Sequence, residues 1–169
     1  MEPFTISFFG HRRIENLVSV ESKLIRIVRD LLKSKAYVDF LVGRNGDFDQ
    51  LVSSSVVRRA KREYRADNSS LVLVLPYVTA ECRDNEESFL EYYDEVEICE
   101  ESAFAHFKSA IRIRNCSMIE KSDLVVCYVE HSIVFVLQKS YVIENKYCLT
   151  IIRKNAYNSI KGGAVYGIA

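Results

Sequence analysis

Apolar and polar positions along this chain change period repeatedly. Phe4 to Phe9 is a short apolar run closed by Gly10, which predicts a buried strand. From Asn16 to Lys35 the period lengthens. Leu17, Val20, Leu24, Ile27, Val28, Leu31 and Leu32 recur at helical steps and predict a helix with one core-facing stripe. Tyr37 to Val42 reads as a second strand. Asp47 then stands where it can cap a helix, with Gln50 three positions on, close to a capping box. That helix would turn Leu51, Val52, Val56, Val57, Ala60 and Tyr64 inward. Leu71 to Leu75 is entirely Val and Leu and stops at Pro76, which suits a parallel strand covered on both faces. Residues 77–102 are polar, acidic and rich in tyrosine, an excursion with a short helix near Asn85–Tyr93. Ser102 is placed to cap a helix carrying Phe104, Phe107, Ile111, Met118 and Ile119 inward. Asp123 to Val129 predicts a fourth strand, Ser132 to Glu144 a helix, and Tyr147 to Ile152 a fifth strand.

Strand and helix patterns thus alternate. The expected fold class is α/β: a Rossmann-like, doubly wound, mostly parallel sheet of about five strands with helices on both faces. In such open sheets ligands bind beyond the carboxyl ends of the strands. That edge would hold Gly10-His11-Arg12-Arg13, then Gly43-Arg44-Asn45-Gly46-Asp47, then Pro76-Tyr77, then Glu130-His131-Ser132. Glycine admits close approach of backbone amides to an anion, and a following helix start adds a favourable dipole. Arg12 and Arg13 add donors suited to phosphate or carboxylate. Either these loops cradle an anionic, nucleotide-like ligand through Asn45, Ser132 and their neighbours, or their glycines only serve tight turns. Asn115 lies in line with Ile111 and Met118. It would belong either to a structural hydrogen-bond network or to the ligand site.

The 169 residues fit one domain, 1–152, followed by an irregular tail, 153–169. At this size folding buries roughly 70% of the unfolded chain's surface. Apolar residues make up 49% and charged residues 27%, an ordinary globular balance rather than a disordered one. Lys and Arg number 23 and so do Asp and Glu, so no global basic field draws nucleic acid, which is disfavoured as a partner. The charge is nevertheless segregated. Between Glu81 and Glu101 the one basic residue is Arg83, whereas residues 58–65 are strongly basic. No stretch approaches the ~20 apolar residues of a membrane span, and the start of the chain lacks a secretory pattern. The five cysteines are odd in number and widely spaced, without a Cys-x-x-Cys pair, so buried free thiols in the cytoplasm are expected. No metal site and no cofactor are expected, and no Gly-x-Ser-x-Gly elbow or triad order occurs. His11 fits a donor role toward a ligand. Glu130 with His131 could do acid/base work or close a turn.

Four motifs stand in order over residues 4–152: Phe8-Phe9-Gly10-His11-Arg12; Gly43…Gly46…Phe48-Asp49; Arg114-Asn115…Met118-Ile119…Ser122-Asp123; and Cys127-Tyr128-Val129-Glu130-His131. Together they resemble the YpsA-like branch of the SLOG superfamily, small bacterial proteins related to the DNA-processing protein DprA and to the LOG phosphoribohydrolases. The resemblance implies a Rossmann-like fold and a nucleotide or nucleotide-derived ligand. It places ligand contacts on Gly10, His11, Arg12, Gly43, Gly46, Asp49 and Arg114 or Asn115. The chain departs from the family where Ser132-Ile133-Val134 replaces a glycine turn and where Ser117 replaces a tryptophan. It also lacks the Pro-Gly-Gly-x-Gly-Thr-x-x-Glu run of the phosphoribohydrolases.

The expected function is a nucleotide-binding sensor or regulatory module. One alternative is an N-glycosidase or phosphoribohydrolase with Glu130 as its catalytic carboxylate. Another is a DprA-like nucleic-acid partner that binds through Arg58, Arg59, Lys61, Arg62 and Arg65. A homo-oligomer is compatible with either.

Overall fold

A computed structural model describes residues 2–64, 67–129 and 148–153. The expected alternation is present in it. Strand β1 (Phe4–Gly10) leads to α1 (Leu17–Ser34) and β2 (Val38–Val42). A continuous helical run follows. It consists of α2 (Asp47–Gln50), a π-helical segment (Leu51–Arg58) and α3 (Arg59–Tyr64). Strand β3 (Ser69–Leu75) comes next, then α4 (Ala80–Asp84), α5 (Glu86–Tyr92), β4 (Glu95–Ile98), α6 (Glu100–Ala103), α7 (Phe107–Lys121), β5 (Leu124–Val129) and β6 (Cys148–Arg153).

The sheet order is β4-β3-β2-β1-β5-β6. Five strands run parallel, and β6 pairs antiparallel with β5. The chain therefore winds outward from β1 to β4 and returns beside β1 as β5, which is the Rossmann-like α/β arrangement. Two aspartates brace adjoining strands at their starts. Asp123 Oδ2 accepts the Thr5 amide at 3.0 Å while its own N–H donates to the Thr5 carbonyl at 2.8 Å. Asp94 does the same with Leu71, at 2.6 and 3.0 Å.

Strand alternation sends side chains to two unlike faces. Ile6, Phe8, Val38, Phe40, Val42, Leu71, Leu73, Val126 and Tyr128 face α1, the 47–64 helical run and α5, and form the larger core. Phe9, Leu41, Val72, Val74, Val125 and Cys127 face the other way and meet Met118 of α7. This thinner face also buries polar groups: Ser7, Arg114, Ser117 and Ser122. The Ser122 hydroxyl donates to the Met118 carbonyl at 2.7 Å and accepts from the Ser7 hydroxyl at 2.6 Å. Burial raises the Cys127 thiol pKa to about 12, so it behaves as a small hydrophobe.

Several local expectations are corrected. The helix after β2 is capped by Gly46, not Asp47, which is its first residue. Ser102 does not cap the long helix; its hydroxyl donates to the Pro76 carbonyl at 2.7 Å, and His106 is the cap. On that helix Ala110, Arg114, Ser117 and Met118 face inward, while Phe107 and Ile111 are exposed; Phe104 precedes the helix and is exposed too. Tyr64 and Leu17 are exposed as well. The acidic excursion contains β4, which periodicity missed. The Ser132–Glu144 helix and the 153–169 tail fall largely or wholly outside the described residues.

Candidate functional site

The carboxyl edge of the sheet brings the first two loops together. The Asp47 N–H donates to the Arg12 carbonyl at 2.9 Å, so the turn after β1 leans on the turn after β2. Gly46 is extended, a conformation open to any residue. Space is what requires glycine there: a Cβ would lie 2.5 Å from the Arg12 Cα. A Cβ at Gly10 would lie 2.3 Å from the Phe48 ring. That ring is fully buried and stacks on Tyr128, centroids 5.7 Å apart and planes at 6°. At both glycines the close neighbour is the protein itself. The joined turns leave Arg12, Arg13, Arg44 and Asn45 exposed along one rim, with His11 half-exposed.

Against Gly43 stand two opposite charges, the buried Arg114 and the half-buried Asp49. A Cβ at this glycine would stand 2.7 Å from Arg114 Nη1 and 2.8 Å from Asp49 Oδ2. Asp49 Oδ2 also accepts the Asn45 N–H at 2.8 Å, which shapes the loop. Arg114 is only 4% exposed. Its Nη1 donates to the Val74 carbonyl at 2.9 Å and lies 3.6 Å from the Met118 sulfur, while its Nε has no hydrogen-bond partner among the described residues. Burial pushes the Asp49 carboxyl pKa up, against the Asn45 amide and the Arg114 charge, which pull it down. Burial likewise lowers the Arg114 pKa, partly offset by Asp49. Both shifts report the same fact: the pair sits in a poorly solvated place, where leaving a polar group unmatched is costly.

The structure thus gathers Gly10, Arg12, Gly43, Asn45, Gly46, Asp49 and Arg114 at one edge. Asn115 is half-buried, one position off the buried face that Arg114 occupies. Glu130 and Ser132, with His131, lie outside the described residues. Three members of the basic cluster make contacts within the fold, and Arg65 lies outside the described residues. Arg59 pairs with Glu63 and Glu21, Lys61 bonds Asp94 and the Ser69 carbonyl, and Arg58 stacks on Tyr92.

Sequence reasoning missed a cleft next to this edge. Its volume is ≈ 460 Å³, and it opens between the 47–64 helical run and the α4–α5 pair. Arg44 forms one wall, 2.8 Å from Glu81 and with its guanidinium carbon 4.4 Å from the Phe89 centroid. Arg58 lies 4.1 Å over the Tyr92 ring, and Tyr92 meets Tyr93 at 4.7 Å. Burial, chiefly, raises the Tyr93 phenol pKa; Tyr92 and Asp49 add to this, and Arg44 and Ser53 oppose it. Tyr93 therefore senses groups of both the cleft and the edge. The available signal was Phe89, Tyr92 and Tyr93 at helical spacing inside an acidic run, a pattern that reads equally as core packing.

No family model matches the chain, and no curated protein matches it. A solved neighbour is DNA processing protein A from Helicobacter pylori, determined in a study of its single-stranded DNA binding mode. It is 16% identical, with a TM-score of 0.48. The match covers 74% of this chain and 53% of the neighbour, so this chain spans about half of that protein's length. This finding corrects the expectation that nucleic acid is disfavoured, because a neighbour is described by its binding of single-stranded DNA. The physical flaw in that expectation is plain: a chain-wide charge of zero is a sum, whereas a partner reads local charge. Among the described residues no helix is long and apolar enough to cross a membrane.

Proposed function

We propose that this chain binds a nucleotide-like anionic small molecule at the carboxyl edge of its sheet and acts as a ligand-sensing or regulatory module. The observation that carries this reading is the joining of the two turns through Asp47 and Arg12, which sets the exposed Arg12 and Arg13 beside the turn that carries Arg44, itself paired with Glu81. Guanidinium forks match phosphate oxygens, and a shared rim lets more than one act on the same group. The YpsA-like resemblance points to the same edge.

The test is thermal unfolding of the full chain against a panel of nucleotides and nucleotide-derived species. A ligand at 100 times its Kd should stabilise the protein by about 2.7 kcal/mol. Arg12→Ala should remove most of that gain. No response to any phosphate-bearing compound, or an undiminished response in Arg12→Ala, would refute the reading.

A further inference from the structure

We infer that the cleft beside this edge is the seat of a nucleobase, held by stacking against the arginine–tyrosine wall. The inference rests on the anion reading above only for the position of the phosphate. The ring site itself follows from the cleft.

Four observations lead there. The first is size: ≈ 460 Å³ falls within the roughly 300–1,000 Å³ of small-molecule sites. The second is the wall. Arg44, Phe89, Tyr92 and Tyr93 line it; the Arg44 guanidinium carbon lies 4.4 Å from the Phe89 centroid, and Arg58, which does not itself line the cleft, holds Tyr92 from 4.1 Å. A guanidinium stacked on a ring has a second planar face, and bases stack on such planes and on aromatic rings. The third is the polar lining. Gln50 and Ser53 supply an amide and a hydroxyl, which together donate and accept, as the edge of a base demands. The fourth is continuity. Arg44 belongs to the Gly43–Gly46 turn and also lines the cleft, so one ligand can place its phosphate on the rim and its base in the cleft.

The helix winding explains why this wall exists. Ser53 and Arg58 are five residues apart, yet both reach Tyr92. The Ser53 hydroxyl lies 3.4 Å from the Tyr92 hydroxyl, and Arg58 stacks on the ring. At about 3.6 residues per turn, positions five apart diverge around a helix. The π-helical segment Leu51–Arg58 bonds at five-residue steps and brings them into line. Such segments occur often at functional sites.

The experiment is calorimetric titration of the full chain with adenosine and guanosine monophosphates, ribose 5-phosphate, the free nucleosides and a short oligothymidine. Nucleoside monophosphates should bind at least about tenfold more tightly than ribose 5-phosphate, the range expected of one stacked base. Tyr92→Leu should erase that preference and leave ribose 5-phosphate binding unchanged. Arg58→Gln, which leaves every buried group in place, should reduce the preference, with circular dichroism confirming the fold of both variants. If ribose 5-phosphate binds as well as the nucleotides, the base site is overturned and the anion reading stands. If nucleosides bind in a Tyr92-dependent way but no phosphate adds affinity, the anion reading falls and the base site stands. If oligothymidine alone binds, and loses affinity in Tyr92→Leu, the base site stands with a nucleic-acid strand as its source. Binding of bases unaffected by both substitutions overturns the site.

Discussion

Two regions of one sheet edge differ in what fills them. Over β1, the corner built on Gly10 and Gly46 is closed by the protein's own atoms: the Phe48 ring on one glycine, the Arg12 backbone on the other. Over β2 and β3, the cleft is walled by side-chain heads and stays open. The closed corner is stiff, because its contacts are a buried ring and main chain. The open one is adaptable, because Arg44 and Gln50 are long and partly solvated. A glycine-rich strand-to-helix turn is therefore no guarantee of a ligand cradle. Here the glycines weld two loops together, and the weld holds the arginine rim in place.

The comparison breaks most sharply at Gly10. Gly10→Ala drives a methyl into the Phe48–Tyr128 stack and should cost about 3 kcal/mol, at the upper end for overpacking. Gly46→Ala, against the Arg12 backbone, should cost about 2 kcal/mol and also lower ligand affinity, since it pries the two turns apart. Urea midpoints read both. Unchanged midpoints would show that the corner is not closed. On the open side the effect is small. Arg58→Ala should cost only about 0.5–1 kcal/mol, the range of an exposed cation–π contact, and a loss above about 2 kcal/mol would mean that the cleft is core rather than site.

The finest test concerns slope. The folded Asp49 carboxyl has a raised pKa, mainly through burial, so the native state holds a proton that the unfolded chain has released. Between the ordinary carboxylate value and the folded value, stability falls as pH rises, and it levels off above. Asp49→Asn removes this titration. The stability difference between wild type and variant should therefore move in the variant's favour as pH rises through that window. The opposite slope would mean that Arg114 and the Asn45 amide outweigh burial.

Much of the frame was legible. Short apolar runs ended by glycine or proline marked β1, β2 and β3, and the three- and four-residue period marked α1. Strand β4 was not legible. It is a four-residue edge strand whose Glu95 and Glu97 alternate with half-buried Val96 and Ile98, and it is held by the Asp94 brace rather than by apolar content. Helix α7 was misread because its buried face carries Arg114 and Ser117 while Phe107 and Ile111 lie outside. Apolar periodicity assumes that inward means oily, and a face that houses a charge breaks the rule. Of the candidate residues, the loop glycines and arginines followed from punctuation and donor chemistry. The orientation of Arg114 was beyond reach, because a turn of one helical position decides it.

By itself the sequence determined the alternating α/β frame, the turns that punctuate it and the local segregation of charge, since these depend on neighbours a few positions apart. Tertiary structure alone decided that two glycines serve internal packing, that Arg114 is buried against Gly43, and that Ser53 and Arg58 share one tyrosine. Those facts join residues between 5 and 71 positions apart in the chain. Their partners are chosen by packing and helix winding, and neither leaves a periodic mark in the sequence.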